Sequence, residues 1–201
     1  MPKSVESIVF ATSNNGKIAT LKRVLEDAHV DVAIEQRALD LIEPQADTAL
    51  EVAQSKARQA YKLIGHAVLV DDSSFHIEAL NGFPGPYAKY VNDTVGIEGY
   101  LQMMKGASNR RGYFLNNLVY VDDEGGEHVF DSAPFAGEIV ETVEEVDDPT
   151  AWSLLFQLFK PDGSDKVLAQ MSMRERSAAK GRVVTRDAYV EFATWLKAHH
   201  D

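Results

Sequence analysis

The first apolar run, Ile8-Val9-Phe10-Ala11, passes straight into Thr12-Ser13-Asn14-Asn15-Gly16-Lys17, after which the chain turns helical. Ile18, Leu21, Val24, Leu25 and Ala28 then fall on one face at helical spacing. A strand feeding a helix through a Ser/Asn/Gly turn is the opening of an α/β unit. Lys17 makes the unit unusual, because Gly16 to Thr20 hold no acid. A helix N-terminus carries partial positive charge, so a lysine there is unfavourable without an anion in front of it. Exposed turn amides, a helix N-terminus and a lysine together compose a phosphate site. The competing reading is an ordinary strand–helix turn with a solvated lysine.

The rest of the chain extends the pattern. Thr48 to Ile64 reads as a second helix, started by the capping box Thr48-x-x-Glu51, with Ala49, Val52, Ala53, Ala57, Ala60, Tyr61 and Ile64 inward. Ala67-Val68-Leu69-Val70 is a wholly apolar strand, expected to be buried on both faces and to end at Asp71-Asp72-Ser73-Ser74. Gly82, Pro84, Gly85 and Pro86 enforce a loop, and Val95 to Lys105 reads as helical. Tyr113 to Val121, Glu127 to Ser132 and Gly137 to Val143 form a β-meander around the turn Asp122-Asp123-Glu124-Gly125-Gly126. A short helix starts at the capping box Ser172-x-x-Glu175, and a final helix spans about Arg186 to His199. This order predicts an α/β fold: a two-lobed mixed sheet with flanking helices and a central cleft.

Composition narrows the function. The 201 residues suffice for one domain with a full core, and a net charge of −11 argues against broad binding of nucleic acid. The absence of cysteine excludes disulfides, thiolate catalysis and cysteine-type zinc sites, and fits a cytoplasmic setting. No apolar run approaches the length needed to span a bilayer, so no membrane role is expected.

Asp71-Asp72 follows a buried strand, where α/β sheets place ligands. Successive strand residues point to opposite faces, so one of the two carboxylates is expected to face a ligand. Such a group binds Mg²⁺ or deprotonates a water, or else sits in an exposed acidic turn. Glu43 is a second metal carboxylate or a solvated loop acid, whereas Glu51 is first a capping residue. Lys56 and Lys89 are phosphate contacts or surface lysines.

Thr12-Ser13-Asn14-Asn15-Gly16-Lys17, Val70-Asp71-Asp72-Ser73 and Ala79-Leu80-Asn81-Gly82-Phe83-Pro84-Gly85-Pro86-Tyr87-Ala88-Lys89-Tyr90 occur in this order. Together they resemble the inosine triphosphate pyrophosphatase family, enzymes that hydrolyse non-standard purine nucleoside triphosphates to monophosphate and pyrophosphate. The resemblance implies one nucleotide pyrophosphatase-like domain over residues 1–201, in two lobes and usually homodimeric. It assigns Ser13, Asn14, Lys17, Lys56, Ser73 and Lys89 to the triphosphate, Asp72 to metal binding and general base work, and Glu43 to the second metal carboxylate. The implied cofactor is Mg²⁺, and the implied reaction is attack of water at the α-phosphorus.

Three positions depart from the family pattern. Thr20 stands where the family has a glutamate. Ala151-Trp152-Ser153-Leu154-Leu155-Phe156 replaces the aromatic-Gly-Trp-Asp-Pro segment that holds the base, leaving Trp152 as its stand-in. Lys180-Gly181-Arg182 replaces Ser-His-Arg, with Arg176 in place of a preceding lysine. Lys180 and Arg182 remain expected substrate contacts. The changes cluster at the base-reading end, so altered base choice is expected, with a non-hydrolysing nucleotide sensor or a pyrimidine-directed enzyme as alternatives.

Overall fold

The computed structural model describes residues 7–143, 146 and 153–200. In chain order the first elements are β1 (Ser7–Ala11), α1 (Asn15–Asp27), β2 (Ala33–Arg37), α2 (Ala49–Ile64), β3 (Val68–Ile77), β4 (Pro84–Gly85) and α3 (Ala88–Thr94). There follow α4 (Gly96–Met103), β5 (Arg111–Val121), β6 (Glu127–Asp131), β7 (Phe135–Ile139), β8 (Phe159–Pro161), α5 (Met173–Val183) and α6 (Ala188–His200). The mixed α/β class expected from the sequence is the class observed. These residues divide into two compact units, and both β3 and β5 run from one into the other.

The first unit comprises residues 1–72, 116–132 and 186–201. In it β1 pairs in parallel with β2, Ser7 opposite Ala33, and with β3, Val9 opposite Val68. Parallel neighbours need crossover connections, which α1 and α2 supply. The C-terminal half of β5 pairs antiparallel with β6, Val119 opposite Val129. Both sheet faces are covered. Ile8, Phe10, Leu69, Leu118 and Tyr120 pack with Ile18, Leu21, Val24 and Leu25 of α1 and Phe192 and Leu196 of α6. Val68, Val70, Val119 and Val121 pack with Ala53, Ala57 and Ala60 of α2. Strand side chains alternate in direction, so a strand covered on both faces must be apolar at every position. The two capping boxes form as expected, at Thr48 with Glu51 and at Ser172 with Glu175. Gly65 closes α2 in the left-handed conformation, φ 78°, which glycine adopts without strain.

The second unit comprises residues 73–115 and 133–185. There β7 lies between β5 and β8, antiparallel to both. Phe75, Phe114, Phe135 and Phe159 form the aromatic centre of its core, with Phe159 meeting Phe75 edge-on at 5.8 Å.

Several expectations are corrected. β3 does not end at Val70 but continues through Asp71–Ser74, because no Gly or Pro breaks it and Phe75 and Ile77 resume inward alternation. β2, α3 and β8 carry little sequence signal, with two apolar residues in β2 and lengths of seven and three residues in the other two, and the expected loop at Gly82–Pro86 contains β4, paired with β3. β7 begins two residues ahead of Gly137 and stops at Ile139.

Gly137 is required by packing. A Cβ there would lie 2.3 Å from the Lys160 carbonyl oxygen and 2.6 Å from the Phe159 ring. Gly137→Ala is expected to cost about 2 kcal/mol or more of stability, the scale of an overpacked core. Denaturant unfolding of the variant beside the parent checks this.

Candidate functional site

Asn14 precedes α1 in extended conformation, and its Oδ1 accepts from the amides of Gly16 (2.9 Å) and Lys17 (3.2 Å). Two amides expected to face a ligand are therefore satisfied within the chain, as an N-cap requires. The Asn14 carboxamide oxygen is engaged, so a phosphate contact by this residue falls to its Nδ2. Ser13 is exposed just ahead of it.

Lys17 does find an anion, and it comes from β3. Its Nζ donates to the main-chain oxygen of Asp71 at 2.9 Å and lies 3.3 Å from Asp71 Oδ2. Lys17 keeps 15% of its side chain exposed, whereas that of Asp71 is fully buried. The Tyr189 hydroxyl, from α6, donates to the same Oδ2 at 2.5 Å. Asp71 Oδ1 is buried with no hydrogen-bond partner among the described residues. Burial, and then the charge of Asp71, push the Tyr189 phenol well above its ordinary pKa, so it stays a donor.

Asp72 points the other way, toward α2. Lys56 Nζ of α2 donates to Glu43 Oε1 at 2.7 Å and to Asp72 Oδ2 at 3.3 Å. Burial dominates Asp72 and pushes its carboxyl above the usual range, against the pull of Lys56 and Lys17. Burial also pulls Lys56 down most strongly, yet the charge of Asp72 and the contacts with Glu43 outweigh it and hold the ammonium above its usual pKa. A carboxylate of raised basicity beside two ammonium groups suits a proton acceptor working next to an anion.

The first unit thus brings Lys17 to Asp71, and Lys56 to Asp72 and Glu43. Glu51 serves the cap of α2, with Thr48 N and Oγ1 both 3.1 Å from its Oε2. In the second unit Ser73 is half-buried in β3, and Lys89 on α3 pairs with Asp93 at 2.8 Å. Lys180 and Arg182 sit in the last turn of α5. Trp152 lies outside the described residues. Ser153 is a structural residue: its Oγ accepts from Asn92 Nδ2 at 3.2 Å and from the Leu155 amide at 3.3 Å. Arg176 donates to the Leu168 carbonyl at 2.8 Å and lies 4.9 Å above the Phe156 ring. Sequence reasoning singled out no site residue in the final helix, where Tyr189 lies. Its one available signal was a hydroxyl on an inward helix face, which must find a partner.

Residues 8–192 match the model of the Ham1 family. The chain belongs to the Ham1 family. A Ham1 relative named dITP/XTP pyrophosphatase from Methanopyrus kandleri is 36% identical over 190 residues, covering 94% of this chain and 96% of that one. One of the same name from Thermococcus kodakarensis is 32% identical, with 94% and 97% covered. The Staphylococcus aureus Ham1 protein superimposes with a TM-score of 0.74 at 25% identity, covering 96% of this chain and 98% of that one. A Coxiella burnetii HAM1 protein, 22% identical, shares the fold with a TM-score of 0.78, with 96% and 98% covered.

The donor set fits a hard divalent cation. Three carboxylates, Asp71, Asp72 and Glu43, meet two ammonium groups here, which leaves negative charge to complement. Among the described residues no cluster of three or more His, Asp or Glu is arranged to hold an ion. Asp72 and Glu43, both paired with Lys56, would hold such an ion, with further oxygens from water and substrate, as is usual for Mg²⁺. Lys56 now bridges these two carboxylates. Lys56→Met is expected to tighten Mg²⁺ alone by about tenfold, the scale of one close half-buried charge pair. Calorimetric titration with magnesium chloride checks this; unchanged affinity would show that the ion does not use these oxygens.

Proposed function

We propose that this Ham1-family chain hydrolyses nucleoside triphosphates, non-standard purine nucleotides such as dITP, XTP and ITP foremost, to the monophosphate and pyrophosphate. Asp72, paired with Lys56 of α2, carries the reading. It is a half-buried carboxylate of raised basicity with two lysines near it. The names of the relatives, dITP/XTP pyrophosphatase, support the substrate class.

In this reading Lys17 and Lys56 bind the phosphate oxygens and offset their charge, with Ser13, Asn14, Ser73 and Lys89 as further phosphate contacts. Asp72 orients a water and takes its proton as the oxygen attacks the α-phosphorus. The bond from that phosphorus to the bridging oxygen breaks, and pyrophosphate leaves. Mg²⁺ held by Asp72 and Glu43 would neutralise phosphate charge and acidify water. Trp152, Lys180 and Arg182 are assigned to the nucleoside end. The family resemblance also supports a homodimer, and the cysteine-free composition a cytoplasmic setting. No helix of the described residues is long and apolar enough to cross a membrane.

Asp72→Asn keeps the side chain's shape but not its basicity, and is expected to lower kcat by about 10²-fold or more, the usual share of a general base. Pyrophosphate release from dITP with magnesium measures it. Tight nucleotide binding without release in the parent protein would instead make the chain a sensor.

A second reading, altered base choice, is favoured by Ser153 and Arg176. Both stand at base-reading positions, and both have polar atoms bound within their own unit. A site that loses hydrogen-bonding groups for a base loses discrimination steeply. Comparing kcat/KM for ITP, XTP, dITP and the standard nucleotides decides it. The expected result is a flattened or shifted preference, and a strong preference for ITP would refute it.

A further inference from the structure

We propose that Tyr189 is a positioning residue of the phosphate site, acting through Asp71 to hold Lys17 where its ammonium meets a phosphate. The proposal rests on the pyrophosphatase reading above and adds to it a residue from the far end of the chain.

Three observations carry it. First, the Tyr189 ring belongs to the core formed with Phe10, Ile18, Leu21 and Phe192, a space that phenylalanine would fill equally well. The hydroxyl adds nothing to that packing. It donates to Asp71 Oδ2 at 2.5 Å. Second, that same carboxylate oxygen lies 3.3 Å from Lys17 Nζ, while the main-chain oxygen of Asp71 takes the shorter bond at 2.9 Å. Third, Asp71 Oδ1 has no partner among the described residues, although the side chain is fully buried. A buried carboxylate with so few donors is sensitive to losing one of them.

The consequence for Lys17 follows from charge. With the phenol donating, part of the negative charge on Oδ2 is taken up, and the lysine can rest on the carbonyl with its exposed edge outward. Without the phenol, the carboxylate oxygens depend on Lys17 among the described residues. The ammonium is then drawn inward, and less of its charge reaches an arriving phosphate. Loss of the hydroxyl therefore weakens phosphate binding rather than the chemical step.

The test is a double-mutant cycle on binding of inorganic pyrophosphate in magnesium chloride, measured by calorimetry for the parent, Tyr189→Phe, Lys17→Met and the double variant. Tyr189→Phe is expected to raise the pyrophosphate Kd about tenfold, the scale of a hydrogen bond to a charged group. In the Lys17→Met background the same change is expected to have no effect. With nucleotide, KM rises in parallel while kcat stays within about twofold. Equal affinity in a folded Tyr189→Phe protein, or the same loss with and without Lys17, overturns the proposal, since a merely structural hydroxyl would act independently of the lysine. Asp71→Asn is the second arm should Tyr189→Phe fail to fold. It is expected to weaken pyrophosphate in the parent and to be silent beside Lys17→Met, and any other pattern overturns the proposal. A parent protein that neither binds pyrophosphate nor releases it from nucleotides overturns the pyrophosphatase reading itself. An active parent with an uncoupled Tyr189 overturns the positioning role alone.

Discussion

Two adjacent carboxylates in the middle of a buried strand are the constraint around which the first unit is arranged. Asp71 and Asp72 are neighbours in β3, where like charges would repel and burial would penalise both. Strand alternation separates them by sending them to opposite faces. The parity is shared with the core. Leu69 and Asp71 face the layer of α1 and α6, and Asp71 meets Lys17 of α1 and Tyr189 of α6. Val68, Val70 and Asp72 face the layer of α2, and Asp72 meets Lys56 of α2. A slip of β3 by one residue would exchange the two sets of apolar contacts and both ion pairs together. The hydrophobic register and the electrostatics of the site are thus one specification.

That arrangement also bears on the proposal that a strongly acidic chain holds a polyphosphate. The overall field of −11 charges opposes a polyphosphate. Lys17 and Lys56 are not free cations waiting in that field. Each is anchored on a carboxylate, which fixes its position and keeps the site near balance before a ligand arrives. Three carboxylates against two ammonium groups still leave a shortfall of positive charge. In the proposed reading a divalent cation would make good that shortfall and favour the phosphates. Metal and nucleotide would accordingly bind better together than either does alone.

Much of this was legible from local patterns, and the parts that were not share a cause. The turn before α1, both capping boxes and the apolar faces of α1 and α2 are set by residues within one or two helical turns of each other. Lys17 stood out because a lysine in an acid-free first turn needs an explanation. The partner that explains it is 54 residues away, and Tyr189 a further 118 from Asp71, distances at which no sequence pattern speaks. The end of β3 was misread for a related reason. Asp71-Asp72-Ser73-Ser74 has the composition of a turn, yet Asp71 and Asp72 find partners far along the chain and Phe75 and Ile77 resume the buried alternation, so the segment continues as strand.

The second unit shows the same limit from the other side. Ser153 and Arg176 could be read, from position alone, as replacements for groups that recognise a base. Their surroundings give them different work. Ser153 starts the turn Leu154–Gln157 and is tied through Asn92 to the Tyr100 hydroxyl, which donates to Asn92 Oδ1 at 3.0 Å. Arg176 joins α5 to the Leu168 carbonyl and covers Phe156. A side chain whose hydrogen bonds already hold its own unit together gives them to a ligand only by breaking them, and each bond broken offsets what the ligand would gain. The charged groups of the first unit, by contrast, are directed at one another across β3, Lys17 to Asp71 and Lys56 to Asp72 and Glu43.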